Sequence, residues 1–259
     1  MSGEPLDAAG PGFFGKVPAI GDFVRRGLPG SFVEPWDAWM RALLQSGTSR
    51  LGDDWLEIYL TSPIWRFVLP PGTCGPEAVA GVMVPSIDAV GRCYPLTLAE
   101  LVPAASAGAP GIVRSLPWFE ALEQAALGAL AETFDLEQFA AGVAAIGPVV
   151  AGAPPAATES AQSDRPGGVV AELTASPAGQ DGDVSALSAG LSHHLAAPLG
   201  LWWTIAGSQR LQATSLLLSM SPAEPAGPAL FAGRGLVAAK LPAPPEESPT
   251  ATGPDGAQP

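Results

Sequence analysis

Cysteine and histidine are scarce in this chain: only Cys74, Cys93, His193 and His194 occur among 259 residues. Two thiols are too few for a disulfide framework or a four-thiolate zinc site, so both are read as buried thiols. No H-E-x-x-H, paired-aspartate or His/Cys cluster is present, which removes the usual frames for metal-assisted hydrolysis. Basic residues are short as well, 12 Lys and Arg against 25 Asp and Glu, for a net charge of −13 and a pI of about 4.4. Binding to phosphate backbones is driven by cationic side chains releasing counterions, so nucleic acid is not an expected partner. Mean hydropathy is positive, yet no uninterrupted apolar run reaches the roughly 18 residues of a membrane span. The start, "MSGEPLDAAG", has neither a basic region nor an apolar stretch, so it does not read as a secretory signal and a cytoplasmic location is expected. The last stretch, "LPAPPEESPTATGPDGAQP", holds no apolar side chain larger than alanine after Leu241 and cannot offset its ordering entropy. Residues 1–11 and 241–259 are therefore expected to be disordered, leaving one domain over 12–240.

What is present divides into helical and strand patterns. In "SFVEPWDAWMRALLQ", Phe32, Trp36, Trp39, Met40 and Leu43 share one helical face, and Asp37 and Arg41 pair four apart on the other. Its start is either a Ser31/Glu34 capping box or Pro35 as first helical residue. "DDWLEIYLT" predicts a second helix. "IWRFVL" alternates with apolar bulk on both faces, as do "AVAGVMV" and "YPLTLAELV", which predicts strands in a sheet covered on both sides. Two alanine-rich helices follow in "LPWFEALEQAALGALAETF" and "LEQFAAGVAAI", with Trp118, Leu122 and Ala126 on one buried stripe. Residues 147–182, dense in Pro, Ala, Ser and Gly, read as a flexible connection. "GLWWTIA" and "LQATSLLLSM" around Gly207 to Arg210 read as a hairpin, and "PALFAGRG" as one further short element.

Few residues offer chemistry. Gly10, Gly15 and Lys16 match the spacing of a phosphate-binding loop, but the position that should carry the Mg²⁺-binding hydroxyl is Val17, and Pro18 opposes a helix there. The loop "VPSIDAVGRCYP" gathers Ser86, Asp88 and Arg92 beside Gly91. A Ser86 nucleophile needs a histidine held by a carboxylate, and it lacks the G-x-S-x-G elbow. His193 and His194 diverge by about 100 degrees if helical, so at most one could serve. Asp22 as a general base has Arg25 and Arg26 close by, which favour a salt bridge. Arg66 and Arg92 pair with Asp22, Asp88 or a carbonyl, or else capture an anionic partner group. Core packing is the default for the seven tryptophans. Adjacent Trp202 and Trp203 face opposite sides of a strand, so one of them is a candidate surface anchor unless the sheet is covered twice.

The blocks "GFFGKVPAIGDFVRRGLPGSFVEPWDAWM", "SPIWRFVL", "GVMVPSIDAVGRCYPLTL" and "GLWWTIAGSQRLQATSLLL" resemble, in order and spacing, those of the TagF family, also called ImpM, associated with bacterial type VI secretion. The resemblance runs over about residues 13–220, interrupted by a variable region over 104–190. It implies an α/β three-layer sandwich, a mixed β-sheet with helices on both faces in a single domain. It also implies a cytoplasmic accessory protein without cofactor, in studied members a post-translational repressor that acts through the forkhead-associated scaffold protein of the apparatus. Some relatives carry a fused phosphatase domain, for which this chain is too short. Among the positions that fit the family pattern are Gly15, Lys16, Gly21, Asp22, Arg25, Trp36, Arg66, Ser86, Asp88, Arg92, Trp202 and Trp203, none with an implied catalytic role. On this reading the glycine match at Gly10 is accidental, and the segment forms a turn entering the first helix. The expected partner surface is a sheet rim carrying Asp22, Arg25, Ser86, Asp88 and Arg92 with an exposed tryptophan, met by the scaffold protein or another secretion component. The alternative is a hydrolase using Ser86 or a nucleotide-dependent enzyme using Lys16.

Overall fold

The computed structural model describes residues 10–102, 112, 115–131, 133–150, 200–204 and 216–219. Strands β1 (Gly12–Gly15), β2 (Val24–Arg26), β3 (Trp65–Leu69), β4 (Ala78–Val84), β5 (Leu96–Val102), β6 (Gly200–Trp203) and β7 (Leu216–Ser219) form one 7-stranded sheet, ordered β2-β1-β5-β4-β3-β6-β7. The described helices are α1 (Gly30–Leu51), α2 (Trp55–Leu60), α3 (Leu116–Gly128) and α4 (Leu136–Ala145), with a 3₁₀ turn at Gly52–Asp54 between the first two. None of them is long and apolar enough to cross a membrane.

The alternation in β3 sets up the layers. Trp65, Phe67 and Leu69 point to one face, where they meet Phe32, Trp36, Trp39, Met40 and Leu43 of α1 and Ile58 and Tyr59 of α2. Val68 points to the other, where Trp118, Phe119 and Leu122 of α3 and Val143 of α4 cover it. Helices on both faces of one sheet make the three-layer α/β domain that the resemblance implies. The sheet itself differs from the mixed one expected, because every pairing in it is antiparallel. The mixed sheet is implied by the resemblance; β3, β4 and β5 are joined by connections too short for the crossover that a parallel pair requires. Both faces are covered here by helices that precede and follow this central meander.

Helix α1 begins at Gly30, a turn earlier than Pro35 and without the Ser31/Glu34 box. Pro29 takes the capping position, and its carbonyl accepts from the N–H groups of Phe32 at 3.2 Å and Val33 at 3.0 Å. The helix continues past Gln45 through Gly47, where a Cβ would run into the Trp55 ring. Aromatic stacking then joins helix to sheet: Trp36 lies on Phe67 at 5.0 Å between ring centroids and donates from Nε1 to Thr97 Oγ1 at 3.1 Å.

Strands β1 and β2 replace the turn expected at "GFFGKVP". Phe13 enters the α3/α4 layer and Phe14 the α1/α2 layer, so this segment too is covered twice. Gly15 makes the pairing possible: its φ is 148° and a Cβ there would collide with the Pro95 carbonyl. The sheet's double cover also answers the tryptophan question. Trp202 is 1% exposed against Trp36, Trp39 and Phe67, and Trp203 is 0% exposed against Phe119. Neither is a surface anchor, which corrects their place among the partner-binding candidates.

The segment after α4 is tied down as far as Val150. Trp118 Nε1 donates to the Gly147 carbonyl, the Val149 N–H to Glu100 Oε2 at 2.8 Å, and Ser115 Oγ to the Val150 carbonyl at 2.6 Å. Residues 1–9, 151–182, His193 and His194, the turn at 207–210, "PALFAGRG" and residues 241–259 lie outside the described residues, whereas Gly10 and Pro11, placed in the expected disordered start, are described and Pro11 is buried.

Candidate functional site

The loop joining β4 to β5 folds back on itself. An antiparallel bridge joins Ile87 and Cys93, the Asp88 N–H donates to the Arg92 carbonyl at 3.1 Å, and the Gly91 N–H donates to the Asp88 carbonyl at 2.9 Å. Gly91 supplies the left-handed residue that this turn needs, at φ 83°.

Inside the turn, the Asp88 carboxylate accepts four hydrogen bonds. Oδ1 takes the N–H groups of Val90 at 3.1 Å and Arg92 at 2.8 Å; Oδ2 takes Lys16 Nζ at 2.7 Å and Arg92 Nε at 2.6 Å. Asp88 is 1% exposed. Burial would raise its pKa, but the bonds from Lys16 and from the side chain and backbone of Arg92 outweigh it and hold the carboxyl well below its ordinary value of 3.8. Such a carboxylate stays ionised at neutral pH and is a poor proton acceptor, since a general base works best with a pKa near the working pH. Its stabilising contribution is fully present above that ordinary value and is lost as pH falls through the lowered one.

Two further bonds staple this loop to the turn between β1 and β2. Arg92 Nη2 donates to the Gly21 carbonyl at 2.6 Å, and the Ala89 N–H donates to the Ile20 carbonyl at 3.2 Å. Beneath them, Lys16 Nζ sits 5.0 Å from the Phe23 ring centroid, and Phe23 stacks on Phe14 and meets the edge of Tyr94. The Tyr94 hydroxyl donates to Asp37 Oδ1 at 2.9 Å, and Arg41 Nε binds Asp37 Oδ2 at 2.7 Å, which brings α1 into the same network. The outcome is a hydrogen-bonded rim on which the large apolar side chain of Val90 is 70% exposed, and on which Ala19, Gly21, Asp22 and Ala89 are exposed as well.

Ser86 is at the root of the loop and acts through its backbone. Its N–H donates to Tyr59 Oη at 3.0 Å, and its carbonyl accepts from the Tyr59 hydroxyl at 2.8 Å and from the Tyr94 N–H at 3.0 Å. Ser86 is 2% exposed, and Oγ reaches only the Ile87 carbonyl, at 3.4 Å. Asp88 is committed to Lys16 and Arg92 and has no acceptor left for a catalytic histidine. Lys16 directly follows β1 and is 6% exposed, with its ammonium on Asp88; the strand, loop and helix of a phosphate cradle are not assembled around it. Among the described residues no three His, Cys, Asp or Glu side chains gather to hold a metal ion.

Of the predicted residues, Ser86, Asp88 and Arg92 come together, while Asp22 and Arg25 do not join them. Asp22 Oδ1 accepts from the adjoining Phe23 N–H, and Arg25 caps the Leu28 carbonyl through Nε and Nη2 at 3.0 and 2.8 Å. The partner expected for Asp22 is engaged elsewhere, as Arg26 reaches Glu137 of α4 at 2.8 Å. Arg66 pairs with none of the expected groups: Nε and Nη2 grip Glu123 of α3 at 2.7 and 3.0 Å. Sequence reasoning missed Lys16 as an ion-pair partner and Tyr59, Phe23 and Tyr94 as supports. One signal was available: Lys16 is one of only two lysines, set in an apolar stretch where a charge needs an opposite one.

The comparisons with known proteins bear on this same region. The family model described as TagF N-terminal domain, type VI secretion system-associated, matches residues 12–146, which hold Lys16, Tyr59 and the whole clamped loop. Among solved structures, the crystal structure of PA0076 from Pseudomonas aeruginosa PAO1 is similar at 37% identity and a TM-score of 0.68, covering 91% of this chain and 100% of that one. A search of curated proteins gave no match. With more than half its length in the family match, the chain belongs to the TagF N-terminal domain family, associated with type VI secretion.

Proposed function

We propose that this protein is a non-enzymatic cytoplasmic regulator of a type VI secretion system, restraining the apparatus after translation by docking on its forkhead-associated scaffold protein. The observation that carries this reading is the four-bonded Asp88. Apolar residues can often replace a buried ion cluster as a whole, so its presence calls for a reason beyond stability. Here it fixes two loops into one rim that exposes Val90. An apolar tip held in place by a hydrogen-bonded loop is the form of a preorganised protein contact.

The experiment has two arms. Effector release is compared between a deletion strain and its parent; a brake predicts more release in the deletion, and reduced release overturns that role. Binding of the purified scaffold protein is then measured for Val90→Asp and Arg92→Glu, with circular dichroism and melting as checks on folding. Loss of binding in folded variants is expected. Unchanged affinity for both variants refutes the rim as the docking surface.

A further inference from the structure

Helix α2, "WLEIYL", carries one charged residue, Glu57, and five apolar or aromatic ones. Trp55, Ile58 and Tyr59 are buried against the sheet and α1, whereas Leu56 and Leu60 are 50% and 45% exposed. The open face of α2 therefore carries two leucines beside one carboxylate, where a helix facing only water is normally polar. Of the large hydrophobics exposed among the described residues, Leu56, Leu60, Val90, Leu127 and Val150, only Leu56 and Leu60 stand four apart on one helix and so form a continuous patch.

The surroundings of that patch give its sign. The 3₁₀ turn leading into α2 places Asp53 and Asp54 beside it, both exposed, and the helix itself adds Glu57. Arg50 is the one base within the preceding turn. The patch is firmly mounted: Trp55 lies against Gly47, and the Tyr59 hydroxyl bonds both backbone groups of Ser86. Docking here therefore needs little reordering of the protein, which favours affinity.

We propose that the outer face of α2 is a second docking surface, separate from the rim, and that its occupant is a basic amphipathic segment of another protein. Leu56 and Leu60 receive the apolar stripe of that segment, and Asp53 and Asp54 face its cations. An acidic or neutral amphipathic segment leaves those carboxylates unmatched and is disfavoured.

The test uses the full chain and two fluorescently labelled peptides with the same leucine stripe, one with lysine and one with glutamate on its polar face. The lysine peptide is expected to bind with an affinity that falls as salt rises. The double change Leu56→Ser and Leu60→Ser, which keeps every charge, is expected to weaken it about tenfold or more, as loss of a central apolar anchor does. Asp53→Asn with Asp54→Asn should weaken it and reduce its salt dependence, and Val90→Asp should leave it unchanged, so failure here is separable from failure at the rim. Equal binding of the two peptides, or affinity unaltered by the leucine changes, overturns the proposal. It is also overturned if the leucine changes lower the melting temperature markedly or abolish self-association, because the chain or a second copy then covers the face.

Discussion

Replacing Tyr59 with phenylalanine removes one oxygen atom from a site that holds the root of the clamped loop. Tyr59 is 0% exposed, and its hydroxyl serves the Ser86 N–H and carbonyl at once. The two losses are unequal. The Ser86 carbonyl keeps its bond from the Tyr94 N–H at 3.0 Å, but the Ser86 N–H is left buried with no acceptor. A buried donor without a partner costs about 1–3 kcal/mol, whereas a carbonyl that keeps one of two bonds costs little. The ring stays, so no cavity term adds. A loss of about 2 kcal/mol follows, or roughly 4 to 8 °C in melting temperature for a domain of this size. Urea unfolding should show a lower midpoint with an unchanged slope, and the Ser86 amide should lose its protection from hydrogen exchange. A melting point within about 1 °C of the parent, with the Ser86 amide still protected, refutes the reasoning, since the bifunctional hydroxyl would then not be holding the loop.

Two further substitutions examine the sheet. Gly81→Ala places a Cβ against the Leu98 carbonyl and Ala99 in the centre of the β4–β5 pairing, and should cost about 1–3 kcal/mol in chemical denaturation; an unchanged midpoint refutes the close approach. Glu100→Gln keeps an acceptor for the Val149 N–H while removing a carboxyl whose pKa is raised, by burial, above its ordinary 4.5. A raised carboxyl contributes stability that is present below the unfolded value and is lost as pH rises through the folded one. The glutamine variant should therefore melt higher than the parent at neutral pH, with the difference shrinking toward pH 4; a variant that melts lower at neutral pH contradicts the sign.

The parts of the fold that could be read in advance are those where local pattern and burial agree. "AVAGVMV" forms β4 end to end, and the α1 stripe from Phe32 to Leu43 is buried as spaced. Strands β1 and β2 were hidden because "GFFG" and "VRR" are too short for periodicity, "GFFG" carries turn-type glycines, and β1 depends on pairing with β5, far along the chain. Strand direction was hidden for a different reason, since burial on both faces is common to parallel sheets and to this doubly covered antiparallel one. At the site, Asp88 and Arg92 were visible as neighbours in one loop. Their third partner, Lys16, lies 72 positions away and had been read through a phosphate-loop spacing that its strand context does not support.

The placement of β6 has a practical meaning for anyone who trims this chain. The family match stops at residue 146, yet β6 pairs with β3 and drives Trp202 between Trp36, Trp39 and Phe67. A fragment cut at that boundary would leave β3 as a raw sheet border with three uncovered aromatic rings, an invitation to pair with its own kind. The homology limit is thus no folding limit, and an expression clone ending there should be recovered as aggregate.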